Sequence, residues 1–547
     1  MKQKLLNKAL KFAPYFLIGL MAIMLIVGAK NDSATNDESA HIGAGWSYAR
    51  LGVYRLNDEH PPLMKLLSGT FLLPLKLNFP VLYQDDQATA NLITNNWDQW
   101  KFGDSLMYES DNNLDALLLF ARMPAILMTL GVAYLVFLWT KKLTNSRSAS
   151  IVALTLAVFS PIMLAHGRLA NTDAPLTFFY FLFFYVLWWF TEKPNLKRAI
   201  ILGLSAGATL AVKFSAPLIA PIAMVLIIIK LIVTSRPYPK LKTVGLLLVS
   251  IIFGALALWL PYAISQRNEI ANSNPYQLKQ LLNKKTVSAP LVKAIILPAD
   301  MYWQGFNVVS SHSKDGHPSY LNGETHTTGH MEYFPITFLL KTPLTHLFLL
   351  LVSFFSLWLT FRKNSFGWMC VLLPIIGYFA ATLFNNIHIG VRHLMPIYPL
   401  TFIMASAGTY YLIKFRAWNW LVGLLMIFYI ADSALHFPSY MAYFNQLIGS
   451  NHNHSKYLSD SNIDWYQDQK RMAKYLTENN ISVIHSNTPQ NPYKINSIQV
   501  ISPTDFQDAL PGEYIVSAGW DNRKLFNRAE YRLVKHIGFS TYLYQKN

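Results

Sequence analysis

Charge is scarce in this chain. Only 14% of its 547 residues are Asp, Glu, Lys or Arg, against roughly 25% in soluble domains. Hydrophobic residues make up 52%. This composition excludes a disordered chain and an ordinary soluble enzyme. Cysteine is nearly absent: the one residue, Cys370, lies in an apolar run. That excludes a disulfide framework, a cysteine-based zinc site and an iron–sulfur cluster. No P-loop and no glycine-rich dinucleotide fingerprint is present, so chemistry on soluble nucleotides is not expected. There is no internal repeat of fixed period and no low-complexity tract.

Long apolar runs take their place. Eleven are read, at 13–30, 116–139, 148–166, 174–190, 199–212, 215–233, 243–263, 335–360, 367–384, 396–413 and 419–436. Most are about as long as a membrane crossing requires. The expected fold is therefore a polytopic α-helical membrane protein of about eleven transmembrane helices. The net charge is +17. Six stretches account for all of it: the amino terminus, then 141–147, 192–198, 230–242, 362–363 and 414–416. Together they hold 18 basic residues and one acid, Glu192. They fall at the amino terminus and in every second loop, which is the positive-inside pattern. The amino terminus is thus expected in the cytoplasm and the carboxyl terminus outside. The first run is read as an uncleaved span, because no convincing small-residue cleavage site follows it. No nucleic-acid groove is needed to explain the basic charge.

Three large regions are expected on the outer face. Residues 31–115 contain two amphipathic stretches, 38–51 and 63–77, read as helices lying in the interface. Residues 265–334 are rich in Gly, His, Ser and Tyr. Residues 438–547 are less apolar; strand-like runs at 481–484, 514–517 and 540–544 and a helical pattern at 465–477 suggest a small α/β domain. The preceding residues, 1–437, form the expected membrane domain.

The groups able to do chemistry collect beside these outer regions. Asp37 and Glu38 follow the first span, as a general base or metal ligand, or simply as a helix start. Glu59 and His60 stand before Pro61-Pro62, with Lys65 one turn on. Asp173 sits in the short turn before the fourth apolar run, and Lys213 between the fifth and sixth. Lys341 interrupts an apolar run, where a charge usually faces a cavity or a partner. Arg392 and His393 precede the tenth. Such cations suit a lipid-phosphate pocket. His312, His317, His326 and His330 match no standard metal spacing and read as a solvated loop.

At these residues the chain resembles the GT-C superfamily of membrane glycosyltransferases, and within it bacterial relatives of the protein O-mannosyltransferases and lipid A aminoarabinose transferases. The marks are Asp37-Glu38, His60-Pro61-Pro62-Leu63 with Lys65, Thr172-Asp173, Tyr320-Leu321-Asn322-Gly323-Glu324, Tyr333-Phe334-Pro335, Lys341-Thr342-Pro343, Gly390-Val391-Arg392-His393 and the stretch 460–465. The resemblance implies transfer of a sugar from a polyprenyl-phosphate carrier to an acceptor hydroxyl on a protein, lipid A or a glycan, with inversion. It implies Asp37 as the first-loop catalytic aspartate, Glu38 beside it and Asp173 as the second-loop acid. Glu59 aligns with an acid that can ligate a divalent metal in the aminoarabinose branch. His60 stands where that branch has a phosphate-binding lysine, and Ala40 where it has an arginine. On the donor-phosphate side the candidates are His60, Lys65, Lys213, Lys341 and Arg392, with Glu59 and His393 nearby. The rival readings are a lipid or solute flippase, a glycan ligase and a non-catalytic scaffold. Transporters usually carry inverted repeats and midplane sites, whereas the ionisable groups here lie near the outer face.

Overall fold

The computed structural model describes residues 2–84, 98–233, 240–272, 290–327, 329–414, 418–449, 454–486, 488, 491–502, 509–518 and 529–547. All eleven apolar runs are helical. Five described helices are long and apolar enough to cross a membrane: Lys11–Asn31, Leu114–Thr144, Asp173–Glu192, Leu241–Ser265 and Asn364–Leu383. A bent pair, Tyr333–Lys341 with Leu344–Ser356, makes a sixth when taken as one span. The chain is a multi-pass membrane protein.

Prolines set several of the breaks. The run at 148–166 divides into Arg147–Val158 and Pro161–His166, since Pro161 lacks an N–H and opens the second helix. Thr342, ahead of Pro343, is extended (φ −98°, ψ 129°), as a residue before proline prefers. The two helices on either side of it meet at 112°. Asn364 (φ −156°, ψ 65°) is non-helical and divides Leu344–Leu383 in two.

The first outer region is buried more deeply than its pattern suggests. Helix Asn36–Trp46 starts with a Thr35/Glu38 capping box, and every residue from Glu38 to Trp46 is buried. Glycine allows this. A Cβ on Gly69 would lie 1.8 Å from the Gly45 carbonyl oxygen, and one on Gly103 2.0 Å from that of Ser39. Helix Asn36–Trp46 therefore touches Leu63–Leu72 and Gln99–Asp104 backbone to backbone. It is held between these helices rather than floating in an interface. Trp46, Phe102, Leu106 and Leu117 form a core beneath it, separate from the larger core of the membrane helices.

The second outer region contains helix Pro290–Asp315 and an antiparallel hairpin, Ser319–Leu321 with Glu324–His326. The tail forms a five-stranded mixed sheet in the order Gln499–Ile501, Val483–Ser486, Tyr514–Ala518, Thr541–Lys546, Tyr531–Ile537. The first two pairings are parallel and the last two antiparallel. Helix Gln469–Glu478 covers it through Met472 and Leu476, against Ile484, Val516 and Leu543. The helical pattern expected from 465 begins only at Gln469. Asp460 and Tyr466 adopt positive φ (57° and 70°), which no helix accommodates.

Candidate active site

A cavity of about 470 Å³ opens where the first outer region, two inter-span turns and helix Pro290–Asp315 meet. Asp37, His60, Lys213, Arg392 and His393 line it. Five residues singled out by charge from separate parts of the sequence thus converge on one space.

Asp37 sits in the first turn of its helix, with its side chain 30% exposed. Arg392 Nη1 lies 3.3 Å from Asp37 Oδ2 and 3.5 Å from Asp173 Oδ2. Asp173, buried at the start of the next span, accepts a bond from Lys213 Nζ at 2.6 Å. Arg392 thus stands between two carboxylates, and Asp173, which is not itself among the residues lining the cavity, pairs with the wall cations Lys213 and Arg392. Each buried charge has an opposite partner, as burial demands. His60 and His393 are held well below their ordinary pKa, by burial first and then by Lys213. Both rings are neutral near pH 7. His60 Nδ1 and His393 Nε2 have no hydrogen-bond partner among the described residues. They are polar groups left available beside the cavity.

Glu38 faces away from this space. Arg122 donates Nε to Oε1 at 2.8 Å and Nη2 to Oε2 at 2.6 Å. The amides of Thr35 and Ala170 donate to the same carboxylate, each at 2.8 Å. Burial, the largest single influence, would raise its pKa, but Arg122 and the amides of Thr35 and Ala170 together outweigh it and hold the group below its ordinary value. Arg122 also donates to the carbonyls of Ala29, Asp32 and Ser33. Glu38 therefore ties the loop before Asp37 to the turn before Asp173. This corrects its expected place beside Asp37: both oxygens are already occupied, and neither lines the cavity.

Three further candidates also lie off the cavity. Lys65 donates to the Asn57 carbonyl at 2.8 Å and to its side-chain oxygen at 2.5 Å. Burial brings it down to about 7. Lys341 is buried and donates to the carbonyls of Met441 (2.8 Å) and Asn462 (2.5 Å), with its Nζ 4.3 Å from the centre of the Phe444 ring. It joins the membrane helices to the tail rather than offering a charge to a phosphate. Glu59 is exposed and accepts from Gln99 at 3.0 Å. Among the described residues, no group of three or more His, Cys, Asp or Glu side chains is arranged to hold a metal ion. His326 pairs with Glu324 at 3.3 Å, and its ring centre is 3.9 Å from that of His330, away from the cavity wall.

Other wall residues were not anticipated. Ser310, Ser313 and Lys314 come from helix Pro290–Asp315, read in sequence only as part of a polar outer region. Its 26 residues begin with an apolar stretch, Leu291 to Leu297 interrupted by Lys293, and end in Ser310-Ser311-His312-Ser313, a mixed pattern that hides the helix. Tyr378 and Asn385 enter from the end of Asn364–Leu383.

Residues 115–267 match the family model described as dolichyl-phosphate-mannose-protein mannosyltransferase. The Saccharomyces cerevisiae protein O-mannosyltransferase Pmt1–Pmt2 complex, solved with its sugar donor, is similar over 79% of this chain and 89% of that one. The identity is 12% and the TM-score 0.53. The apo oligosaccharyltransferase of Archaeoglobus fulgidus covers 92% and 70%, at 11% identity and a TM-score of 0.47. ArnT from Cupriavidus metallidurans, solved with undecaprenyl phosphate, covers 97% and 97%, at 9% and 0.43. No curated protein matches the chain. Part of the chain thus resembles a mannosyltransferase family, and the chain shares the fold of the mannosyltransferase complex.

Proposed function

We propose that this protein is an inverting glycosyltransferase that moves a sugar from a polyprenyl-phosphate carrier to an acceptor hydroxyl. The reaction takes place at the outer face of the cytoplasmic membrane. The supporting observation is the cavity itself: an accessible carboxylate, Asp37, shares it with Arg392 and Lys213 at the level where spans end.

The acceptor oxygen attacks the anomeric carbon while the bond from that carbon to the phosphate oxygen breaks. The electron pair leaves on the phosphate, and the acceptor proton passes to the Asp37 carboxylate. Asp37 acts as general base, a step contributing typically about 10²–10⁴-fold. Arg392 and Lys213 stabilise the charge that develops on the phosphate. Asp173 fixes these two cations in place, and neutral His60 and His393 offer hydrogen bonds to the sugar or phosphate. Among the described residues no metal-holding set is present, so no step is assigned to a metal.

In this reading the chain crosses the membrane eleven times, with its amino terminus in the cytoplasm. Residues 438–547 form an extracytoplasmic domain, and the acceptor is a protein, lipid A or a glycan.

The test is transfer of radiolabel from polyprenyl-phosphate-linked sugars in membranes, wild type beside Asp37→Asn. Transfer that disappears in the variant supports the reading. Transfer that persists removes Asp37 as base. Movement of intact donor across the bilayer without release of free carrier would instead identify a flippase. A product enlarged by a whole oligosaccharide would identify a ligase.

A further inference from the structure

We infer that residues 460–470 of the tail are part of the active site, acting as the positioning element that sets Arg392 and Asp37 relative to each other. The inference rests on the proposed transfer reaction for its catalytic consequence; the contacts behind it do not.

The tail segment grips both loops that carry the site. On one side, the Ser461 hydroxyl accepts from Arg392 Nε at 3.1 Å and donates to the Ile389 carbonyl at 2.5 Å. Asn462 Oδ1 accepts the Val391 amide at 2.9 Å. The Arg392 guanidinium carbon lies 3.9 Å from the centre of the Trp465 ring. On the other side, the Asn36 amide, next to Asp37, donates to the Trp465 carbonyl at 3.2 Å. The Ser33 amide donates to the Gln467 carbonyl at 2.9 Å, and the Lys470 amide to the Ser33 hydroxyl at 2.6 Å. Trp465 alone thus bridges the two loops, its ring on Arg392 and its carbonyl beside Asp37.

The approach is close. A Cβ on Gly390 would stand 2.3 Å from the Ser461 hydroxyl oxygen. Lys341 secures the segment from below through the Asn462 carbonyl, and the Tyr333 hydroxyl accepts from Asn462 Nδ2 at 3.0 Å. A guanidinium needs such a frame. Its face is stacked, Nε is bonded to Ser461 and Nη1 faces the two carboxylates. Among the described residues Nη2 has no partner, and Arg392 lines the cavity. One edge of the fork is thereby presented to a phosphate oxygen. Arginine, planar and with its donors fixed in one fork, suits this arrangement as lysine does not.

The experiment compares Trp465→Ala, Trp465→Phe and Ser461→Ala in the full chain, with His485→Ala on the tail sheet as control. Transfer kinetics are measured beside hydrogen exchange of peptides spanning 33–38 and 387–395. Trp465→Ala is expected to lower kcat about 10–30-fold; because the ring is buried in the core, the thermal midpoint should fall as well, and rates are compared on folded protein below that midpoint. Trp465→Phe, which keeps a ring face, should recover most of the rate. In an Arg392→Lys background Trp465→Ala should cost less than about 2-fold more, since coupled residues are not additive. Exchange should rise in both peptides for Trp465→Ala and in neither for His485→Ala. Full activity in Trp465→Ala overturns the inference, as does equal loss in the Phe variant. If wild type transfers nothing, the proposed reaction fails, and exchange alone judges the positioning: unchanged exchange in 387–395 overturns it.

Discussion

Replacing Glu38 by Gln and Asp37 by Asn, one at a time, should separate fold from chemistry at adjacent positions. Glu38 is fully buried against a fully buried Arg122. Its carboxylate takes two bonds from Arg122 and one from each of two backbone amides. The amide side chain of Gln removes the negative charge and turns one acceptor into a donor facing a cation. Breaking a buried pair from one side costs about 3–5 kcal/mol, because the remaining charge has no compensation. Asp37 is 30% exposed and stands 3.3 Å from Arg392. Arg392 is buried, but it keeps Asp173 as a second carboxylate at 3.5 Å, so loss of the partly exposed Asp37 charge costs less than breaking the isolated Glu38–Arg122 pair. Glu38→Gln should therefore lower the thermal midpoint of the detergent-solubilised protein by several degrees and reduce its yield. Whatever folds should retain substantial transfer per molecule. Asp37→Asn should leave the midpoint near wild type and remove about 10²–10⁴-fold of the rate. The assay is a thermal melt and a radiolabel transfer on the same preparations. A stable, inactive Glu38→Gln beside an active Asp37→Asn would refute the assignment and exchange the two roles.

Lys341→Met leaves the carbonyls of Met441 and Asn462 without their donor, at about 1–3 kcal/mol for each buried group. Limited proteolysis should cut the tail junction sooner, while the donor KM of the intact fraction stays near wild type; a large KM increase without faster cleavage would restore Lys341 to the phosphate side. Lys65 is brought down to about 7 from 10.5 by burial. Between these values the unfolded chain binds more protons, so Lys65 contributes stability that grows as pH rises from 7 toward 10.5 and is lost below. The difference in thermal midpoint between wild type and Lys65→Met should shift in favour of wild type from about pH 6.5 to about pH 9.5; a difference independent of pH would contradict the burial argument.

What could be read from the sequence was which charged groups stand at the ends of apolar runs, because charge in so apolar a chain is conspicuous. Asp37, His60, Lys213, Arg392 and His393 were found in this way, and the structure gathers them round one cavity. Direction could not be read. Asp37 and Glu38 are neighbours, so on a helix they point about 100° apart. One faces the cavity and the other a buried arginine. Lys341 has the same composition signal as Arg392, yet its head meets backbone carbonyls a hundred residues away in sequence. The buried helix Asn36–Trp46 was mistaken for an interfacial one for a related reason. Gly45, Gly69 and Gly103 declare themselves only when the backbones they admit are known. The tail motif at 460–465 was noticed, but its two grips depend on positive φ at Asp460 and Tyr466, which residue types at those positions do not reveal.

The charges round the cavity carry one further consequence. Asp37 and Asp173 balance Arg392 and Lys213, and the two histidines are neutral. Lys314 is the remaining cation on the wall and has no acidic partner among the described residues. Lys314 thus places a positive charge with no acidic partner among the described residues beside the cavity. A sugar phosphodiester brings one negative charge, whereas the carrier phosphate left after transfer brings up to two. Lys314 should therefore hold product more strongly than donor. Because it is exposed, its contribution is small, about 0.2–1 kcal/mol or up to roughly 5-fold. Lys314→Ala should weaken inhibition by free polyprenyl phosphate by about 2–5-fold, with a lesser effect on donor KM. The effect should fade between about 0.05 M and about 0.5 M salt, as screening shortens the reach of an exposed charge. Where product release limits turnover, kcat should rise. Inhibition unchanged at low salt would refute the charge balance, and equal changes in donor KM and product inhibition would show that Lys314 does not distinguish the two phosphates.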